Sequence, residues 1–423
     1  MEKNPAYLPR LSDKRLRLLL EAMGAVLIEG AKWCGKTSSA RQHASSVLYL
    51  QEPDRRRAYM NLADTQPSIL LQGETPRLLD EWQDAPVLWD AVRFEVDRRN
   101  KKGQFILTGS AVPLDDEVWH SGAGRIARLK MRPMSLFESG ESSGVISLST
   151  LFNGEDMDAN FSQVTVEHYA HLICRGGWPA SVGVSDATSM LTARSYVDAI
   201  IHKDTHRVDG VTKSPDRVRL LLRSLARNLT TLASAQTIIN DVAANESSMT
   251  DKTFSQYMTA LQRIFVVENM SAWQPSLRSK TAIRTSEKRL FVDPSIATAV
   301  LHVKPDVLLK DFEYFGFLFE ALCARDLRIY AETLDGRVYH YRDKTGLEAD
   351  MIVQLDDGRW AAVEVKMGNK QIEEAAANLL KLKEKVNTEK MGVPSFLMVL
   401  TAGEMAYRRK DGVWVVPLGC LRD

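Results

Sequence analysis

The sequence has few cysteines, no excess of charge of either sign and no long apolar run. Its four cysteines, among 423 residues, lie far apart and form no C-x-x-C pair. This argues against a disulfide framework or a zinc site and fits a reducing cytoplasm. The 55 basic and 54 acidic residues nearly cancel, so net charge gives no argument for nucleic-acid or membrane binding. No apolar run approaches the ~20 residues that span a bilayer. We therefore expect a cytoplasmic protein without a membrane partner.

What is present is the pattern of an α/β protein. Hydrophobic residues make up 44% and charged residues 26% of the chain, as in ordinary globular proteins. At roughly 100–200 residues per domain, the length allows two to four domains. Helical patterns alternate with short apolar runs that predict buried strands, and these runs are 25–28, 47–50, 77–81 and 104–108. The alternation predicts a mostly parallel sheet covered by helices on both faces.

The first apolar run leads into a complete G-x-x-x-x-G-K-T segment. It consists of Gly30, Ala31, Lys32, Trp33, Cys34, Gly35, Lys36 and Thr37, and Ser38 follows. A strand before such a loop and a helix after it direct backbone amides and the helix N-terminus toward an anion. We expect Lys36 to reach the β- and γ-phosphates and the Thr37 hydroxyl to bind magnesium. The segment predicts a site for ATP with Mg²⁺.

Polar side chains end the third and fourth predicted strands of this region. Asp80 and Glu81 close an apolar run in a Walker B arrangement. Asp80 would hold magnesium through water, and Glu81 would orient and deprotonate the attacking water. The alternative is a pair of acids that only cap a strand. Thr108 and Ser110 end the following strand, where a polar group would sense the γ-phosphate or form an ordinary turn.

Arg125 follows a glycine-rich stretch, 121–124. It is a candidate arginine finger that would stabilise transition-state charge in a neighbouring subunit of a homo-oligomer. Arg128 and Arg132 are rival candidates, and a surface arginine without such a role stays open.

Three further regions follow the predicted ATPase core. A shift to Ser, Gly, Asn and Asp at 139–160 and helical patterns up to 208 predict a helical lid. Helical patterns at 216–228, 235–243 and 251–262, followed by an extended run, have the order of a winged helix. There Lys252, Thr253, Ser255 and Gln256 would approach DNA or serve packing between domains. The predicted divisions are a core at 1–140, a lid at 141–212, a winged helix at 213–305 and an α/β domain at 306–423.

The last region carries its own group of acids. A hairpin through 356–358 would bring Asp350 near Glu364, and strand alternation puts Glu364 and Lys366 on one face. Glu320, on the preceding helix, would complete the group. The carboxylates would bind magnesium, and the lysine would position a water for phosphodiester hydrolysis. This pattern resembles that of PD-(D/E)XK nucleases, although a plain ion pair between Glu364 and Lys366 is the alternative.

Taken together, these motifs resemble bacterial and archaeal AAA-type ATPases with a C-terminal domain of unknown function. The matching segments are 27–30 with 35–37, 79–83, 105–110, 124–125 with 132–136, 176–179, 196–204, 320, 348–350 and 364–366. The family often has Pro-Arg where this chain has Ala31-Lys32, at positions that supply backbone rather than side-chain chemistry. The resemblance implies an AAA-like α/β core, a winged helix and a restriction-endonuclease-like region.

Two functions of different classes stay open at this point. In the first, the protein hydrolyses ATP and couples this to action on DNA through its winged-helix and nuclease-like regions. In the second, it is a nucleotide-dependent switch or scaffold that binds a protein partner, and the nuclease-like domain is inactive.

Overall fold

A computed structural model describes residues 7–111, 122–205, 213–244, 249–274, 286–386 and 391–423. Contacts divide the chain into two compact units. The first comprises Met1–Pro133, Ala199–Ser214 and Gln256–Val266, and the second comprises Met134–Asp198, Pro215–Ser255 and Val267–Asp423. By its contacts, most of the segment predicted as a lid therefore belongs to the second unit.

The first unit contains a five-stranded sheet in which every pairing is parallel. The strands are β1 (Ala25–Glu29), β2 (Ser46–Tyr49), β3 (Arg77–Asp80), β4 (Phe105–Gly109) and β5 (Ile126–Lys130). Their order is β2-β3-β4-β1-β5. The parallel sheet predicted from alternating strands and helices is confirmed. Because β4 lies between β1 and β3, the carboxyl ends of these three strands are neighbours.

Helices cover this sheet and supply much of its core. They are α1 (Ser12–Ala22), α2 (Lys36–Arg41), α3 (Arg56–Thr65), α4 (Pro67–Leu70) and α5 (Val87–Arg99). Leu27, Leu79 and Leu107 of the strands are buried together with Trp82 and Trp89. Each such side chain contributes roughly 1.5–3 kcal/mol on burial, so the apolar runs that predicted the strands also hold the sheet in place.

The second unit is built on a seven-stranded mixed sheet of order β7-β12-β13-β11-β10-β9-β8 and a two-stranded pair of β14 and β6. Its strands are β6 (Ile146–Ser147), β7 (Asn160–Phe161), β8 (Gly336–Arg342), β9 (Glu348–Leu355), β10 (Trp360–Lys366), β11 (Leu397–Thr401), β12 (Met405–Arg408), β13 (Trp414–Pro417) and β14 (Leu421–Arg422). β8, β9 and β10 are antiparallel neighbours, whereas β10, β11 and β13 run parallel. Parallel neighbours need a crossover connection, and a helix provides it between β10 and β11.

The helices after Pro133 are α6 (Leu148–Phe152), α7 (Val166–Arg175), α8 (Asp186–Ser189), α9 (Leu191–Ala199), α10 (Pro215–Arg227), α11 (Ala235–Ala243), α12 (Asp251–Arg263), α13 (Ser295–Leu301), α14 (Pro305–Leu308), α15 (Phe312–Thr333) and α16 (Ile372–Lys385). A π-helical turn, Ile200–Asp204, follows α9. α16 is the crossover helix, and its Leu379 is buried in one core with Trp360 and Val399.

The three helices expected of a winged helix occur in the predicted order, but the predicted extended run at 264–267 begins instead as a turn, in which Phe265 is left-handed with φ of 58°. α10, α11 and α12 begin and end within a few residues of the predicted bounds. Two antiparallel bridges follow, Val267 with Phe291 and Met270 with Lys288. The winged-helix assignment itself stays a prediction, since three helices and a bridged pair occur in other arrangements too.

A buried ion network joins distant segments of the second unit. Arg325 of α15 donates through Nη1 to Asp293 Oδ2 at 2.8 Å and through Nε to Asp326 Oδ1 at 2.8 Å. Asp293 Oδ2 also accepts the Gly177 amide at 3.0 Å, and Asp326 Oδ2 accepts the Leu136 amide at 2.9 Å. Two of the segments that carry the family resemblance, 132–136 and 176–179, are thus anchored on one buried guanidinium group.

Candidate nucleotide-binding site

The phosphate loop connects the carboxyl end of β1 to the start of α2. A side chain at Gly30 would bring a Cβ atom within 2.0 Å of the Met131 carbonyl oxygen, and Gly35 has a left-handed backbone with φ of 103°. Trp33 is also left-handed, with φ of 63°, and is 49% exposed. Left-handed backbone costs a side-chain-bearing residue roughly 1–2 kcal/mol. Such strain clusters at ligand-binding sites, as expected for a loop that turns its amides toward an anion.

Lys36 is the first residue of α2, and its side chain folds back over the loop. It is only 4% exposed, and Nζ donates to the carbonyl oxygens of Gly30 at 2.9 Å and Ala31 at 2.8 Å. An ammonium group is therefore held inside the turn of the loop. This is the charge that a triphosphate requires there.

Asp80, the last residue of β3, connects the loop to the neighbouring strand. Its Oδ1 atom accepts hydrogen bonds from Thr37 Oγ1 and from Thr108 Oγ1, both at 2.7 Å. Asp80 and Thr108 are register partners on β3 and β4, so the strand order brings these groups together. Hydroxyl and carboxylate oxygens are the ligands that Mg²⁺ prefers. Thr37 and Asp80 therefore fit the magnesium ion expected with ATP.

Glu81 is the first residue after β3, which ends one residue earlier than the sequence predicts. The chain turns there because Glu81 adopts a left-handed conformation, with φ of 58° and ψ of 48°. Ser110 Oγ donates to Glu81 Oε2 at 3.0 Å, and Gln83 Nε2 donates to the same oxygen. The Glu81 amide donates to Thr108 Oγ1 at 3.2 Å. The structure thus brings the predicted residues of β3 and β4 into one hydrogen-bonded group beside Thr37.

Arg10 supports the loop from behind and was missed by sequence reasoning. It is 6% exposed, and its guanidinium group donates to the Cys34 carbonyl through Nη1 at 2.7 Å and to the Arg132 carbonyl through Nη2 at 2.8 Å. In a trans peptide the carbonyl of Cys34 and the amide of Gly35 point in opposite directions. A fixed Cys34 carbonyl therefore also fixes the direction of the Gly35 amide. No spacing rule marks an arginine twenty positions before a phosphate loop.

A second contact missed from the sequence joins the loop to the π-helical turn. Lys32 Nζ forms an ion pair with Asp204 Oδ1, and the aspartate side chain is nearly buried. The two residues are 172 positions apart. The loop therefore carries a side-chain anchor in addition to its backbone geometry, at the position where the family resemblance has arginine.

The three arginines that are candidates for an arginine finger lie before, within and after β5. Arg125 precedes β5, and its carbonyl accepts the amide of Ala25 at the amino end of β1 at 3.0 Å. The loop begins beyond the other end of β1, roughly 16 Å away for five residues at about 3.3 Å each. Arg125 pairs instead with Asp97, at 2.9 Å between Nε and Oδ1. A finger role for Arg125 would therefore have to act on another copy of the chain.

The rivals lie closer to the loop. Arg128, in the middle of β5, contacts Glu29 Oε2 at 2.9 Å. Arg132 is buried and follows the carboxyl end of β5, where the Met131 amide donates to the Glu29 carbonyl at 2.8 Å. Of the three, Arg132 is the one at the phosphate-loop end of its own sheet.

The C-terminal residues also converge, within the second unit. β9 and β10 form the predicted hairpin, in which Met351 is paired with Val363. The Val365 amide donates to Asp350 Oδ2 at 2.8 Å. Lys366 Nζ lies 2.9 Å from Glu364 Oε2 and 3.9 Å from Asp350 Oδ2. Glu320 reaches the same group from α15 through Lys288, a residue that sequence reasoning did not select.

Burial controls the acidity of this group. Burial first, and the charge of Asp350 second, raise the pKa of Glu364 to about 8, although Lys366 opposes the shift. Burial raises the pKa of Glu320 to about 7 against the opposing charge of Lys288. Within the described ranges, no group of three or more His, Cys, Asp or Glu side chains is arranged to hold a metal ion.

Three family models match separate parts of the chain. Residues 23–139 match an AAA domain, residues 166–307 match a domain of unknown function (DUF8612), and residues 315–421 match another domain of unknown function (DUF4143). No curated protein sequence matches the chain. Residues 23–139, most of which belong to the first unit, are therefore similar to AAA-type P-loop domains. In the parts of the chain that the structure describes, no helix combines the length and apolar character needed to cross a bilayer.

Solved structures resemble the chain only distantly. A Walker-type ATPase of Pyrococcus abyssi is 14% identical, covers 70% of this chain and 97% of its own, and has a TM-score of 0.45. A signal transduction ATPase with numerous domains and a tetratricopeptide repeat sensor, from Pyrococcus horikoshii, is 14% identical with a TM-score of 0.26, covering 78% and 50%. Drosophila ORC bound to DNA is 12% identical with a TM-score of 0.22, covering 65% and 89%. These likenesses carry no argument about what this chain acts on.

Proposed function

We propose that the protein is a magnesium-dependent ATPase. The observation that carries the proposal is the hydrogen bonding of Asp80 Oδ1 to both Thr37 and Thr108. It joins the phosphate loop to the strand end where Glu81 is held. A site that only binds nucleotide has no need of the second carboxylate, Glu81, beside the magnesium residue Asp80. Hydrolysis does need it, because it requires a base near the terminal phosphate.

Each side chain has a role in this reaction. Lys36 stabilises negative charge on the β- and γ-phosphates, and the amides of the loop bind the phosphate oxygens. Thr37 and Asp80 would hold Mg²⁺, which would neutralise phosphate charge when bound. Glu81 orients the attacking water and accepts its proton, while Ser110 and Gln83 keep the carboxylate in place. Arg125 of a second copy, or Arg132 of the same chain, would stabilise charge in the transition state.

ATP turnover by wild type, Lys36→Ala, Glu81→Gln and the control Glu74→Gln tests the proposal. Glu74 is exposed just before β3, so its amide variant matches the charge change without touching the site. We expect Glu81→Gln to keep ATP binding and to lose about 10²-fold or more in kcat, the typical contribution of general-base catalysis. Lys36→Ala should lose binding. Equal turnover by Glu81→Gln and wild type would refute hydrolysis by this residue.

We further propose that ATP turnover is coupled to DNA through a winged helix formed by α10, α11 and α12. α12 supports this, because the predicted residues Lys252, Ser255 and Gln256 form an exposed polar face at helical spacing together with Thr259, whereas Thr253 is only partly exposed. Such faces contact phosphates and base edges. Double-stranded DNA should bind with a strong dependence on salt and change the ATPase rate. Lys252→Ala should weaken both effects, whereas Lys310→Ala, exposed after α14, should not.

If DNA neither binds nor changes turnover, the second candidate function takes its place. The chain would then be a nucleotide-dependent switch or scaffold that binds a protein partner through an inactive nuclease-like domain. The ion pair of Lys288 with Glu320, and its approach to Asp350, favour this candidate, because Lys288 is not part of the nuclease-like pattern and lies beside acids that a nuclease would use for its metal.

A further inference from the structure

The C-terminal carboxylate cluster, defined as Glu320, Asp350 and Glu364, contains a lysine from a distant segment. Lys288 lies in the bridged pair with Met270, where the two residues exchange backbone hydrogen bonds of 2.8 and 3.0 Å. Its backbone is therefore fixed, and its side chain, 12% exposed, points into the cluster. Nζ lies 2.8 Å from Glu320 Oε1 and 3.8 Å from Asp350 Oδ1.

Lys366 faces the cluster from the other side. Its Nζ atom lies 2.9 Å from Glu364 Oε2 and 3.9 Å from Asp350 Oδ2. The two oxygens of Asp350 thus each face a different ammonium group, and Oδ2 also accepts the Val365 amide at 2.8 Å. Positive and negative groups alternate from Glu320 to Glu364, so every carboxylate already has a cationic neighbour.

A divalent cation does not fit this arrangement. Mg²⁺ would need carboxylate oxygens at about 2.0–2.1 Å, and a dication between Glu320 and Asp350 would lie beside the Lys288 ammonium group. The geometry agrees, because the described residues include no trio of acids arranged around a common metal position.

We propose that Lys288 is a built-in counterion that takes the place of a metal ion in the cluster. While its side chain lies between Glu320 and Asp350, the cluster binds no divalent cation, and the nuclease-like domain has no metal-dependent activity. The inference does not rest on ATP hydrolysis, since all the groups involved belong to the second unit.

Mn²⁺ binding to the full chain, measured by electron paramagnetic resonance without nucleotide, tests the proposal. The variants are Lys288→Met, which keeps the apolar stem, Lys288→Arg, which keeps the charge, and the exposed control Lys310→Met. We expect Lys288→Met to bind Mn²⁺ at an added site about tenfold or more tightly than wild type, because one unit charge is removed nearby. Asp350→Asn in the same background should abolish the added site. Lys288→Arg and Lys310→Met should behave as wild type.

Two results would overturn the proposal. The first is Mn²⁺ binding by wild type that Asp350→Asn removes. The second is folded Lys288→Met without an added site, with folding judged by circular dichroism and by retained ATP binding. If Lys288→Met does not fold, the comparison of wild type with Asp350→Asn decides alone, and equal Mn²⁺ binding by these two proteins supports the counterion.

Discussion

Replacing Arg10 with methionine should weaken ATP binding, although Arg10 lies outside the phosphate loop. The guanidinium group bridges the carbonyl of Cys34 in the loop and the carbonyl of Arg132 after β5. Methionine keeps an apolar stem of similar length and removes both hydrogen bonds. The Cys34 carbonyl is then free to rotate, and with it the Gly35 amide that should face the phosphates.

The size of the effect follows from these two contacts. Hydrogen bonds that involve a charged group contribute about 1.5–3 kcal/mol each, so the pair contributes about 3–6 kcal/mol before the loop relaxes. We expect the cost to divide between global stability and the order of the loop. If ordering the loop costs about 2 kcal/mol of the binding free energy of ATP, the affinity for ATP falls roughly 30-fold. Arg10→Lys keeps the charge but loses the two-pronged geometry, so its loss should be intermediate.

Calorimetric titration with ATP and Mg²⁺ measures the loss of ATP affinity, and urea unfolding of the free protein measures the loss of global stability. Arg17→Met is the matched control, because Arg17 is exposed on α1. The reasoning fails if Arg10→Met binds ATP within about twofold of wild type and also unfolds with unchanged free energy, since two buried carbonyl contacts would then have no measurable value.

Two further predictions concern the second unit. Arg325→Met should lower the free energy of unfolding by about 3–5 kcal/mol, because it leaves two buried carboxylates without their cation. A loss below about 1 kcal/mol in urea unfolding would show that Arg325 does not stabilise these carboxylates. Burial, and then the charge of Lys288, lower the pKa of His340 from 6.5 to about 4. Between these two pH values the unfolded chain therefore binds more protons than the folded chain. The free energy of unfolding should fall as the pH falls from 6.5 toward 4, by about 3 kcal/mol at pH 4. His340→Gln should flatten this dependence in unfolding measured across pH, whereas the exposed His302→Asn should leave it intact.

Local patterns predicted much of the fold. β1, the phosphate loop and α2 are contiguous, and their residue types suffice to predict strand, turn and helix in that order. The β9–β10 hairpin is similarly local, because its turn residues and alternation set the pairing of Asp350 with the end of β10. β5 was missed, since Ile126–Lys130 alternates weakly and contains two charged side chains. It is an edge strand, where packing demands on the sequence are low.

The sequence by itself determined the identity of the phosphate loop and of the residues that end β3 and β4. Their chemistry is set by residue type and by position at a strand end. Only the tertiary structure decided which partner each charged side chain meets: Arg10 the Cys34 carbonyl, Lys32 the Asp204 carboxylate, and Lys288 the Glu320 carboxylate. A buried charge must find an opposite charge or a carbonyl wherever the fold brings one close. Partners across tens to hundreds of positions are therefore fixed by the packing of whole elements, which local spacing does not encode.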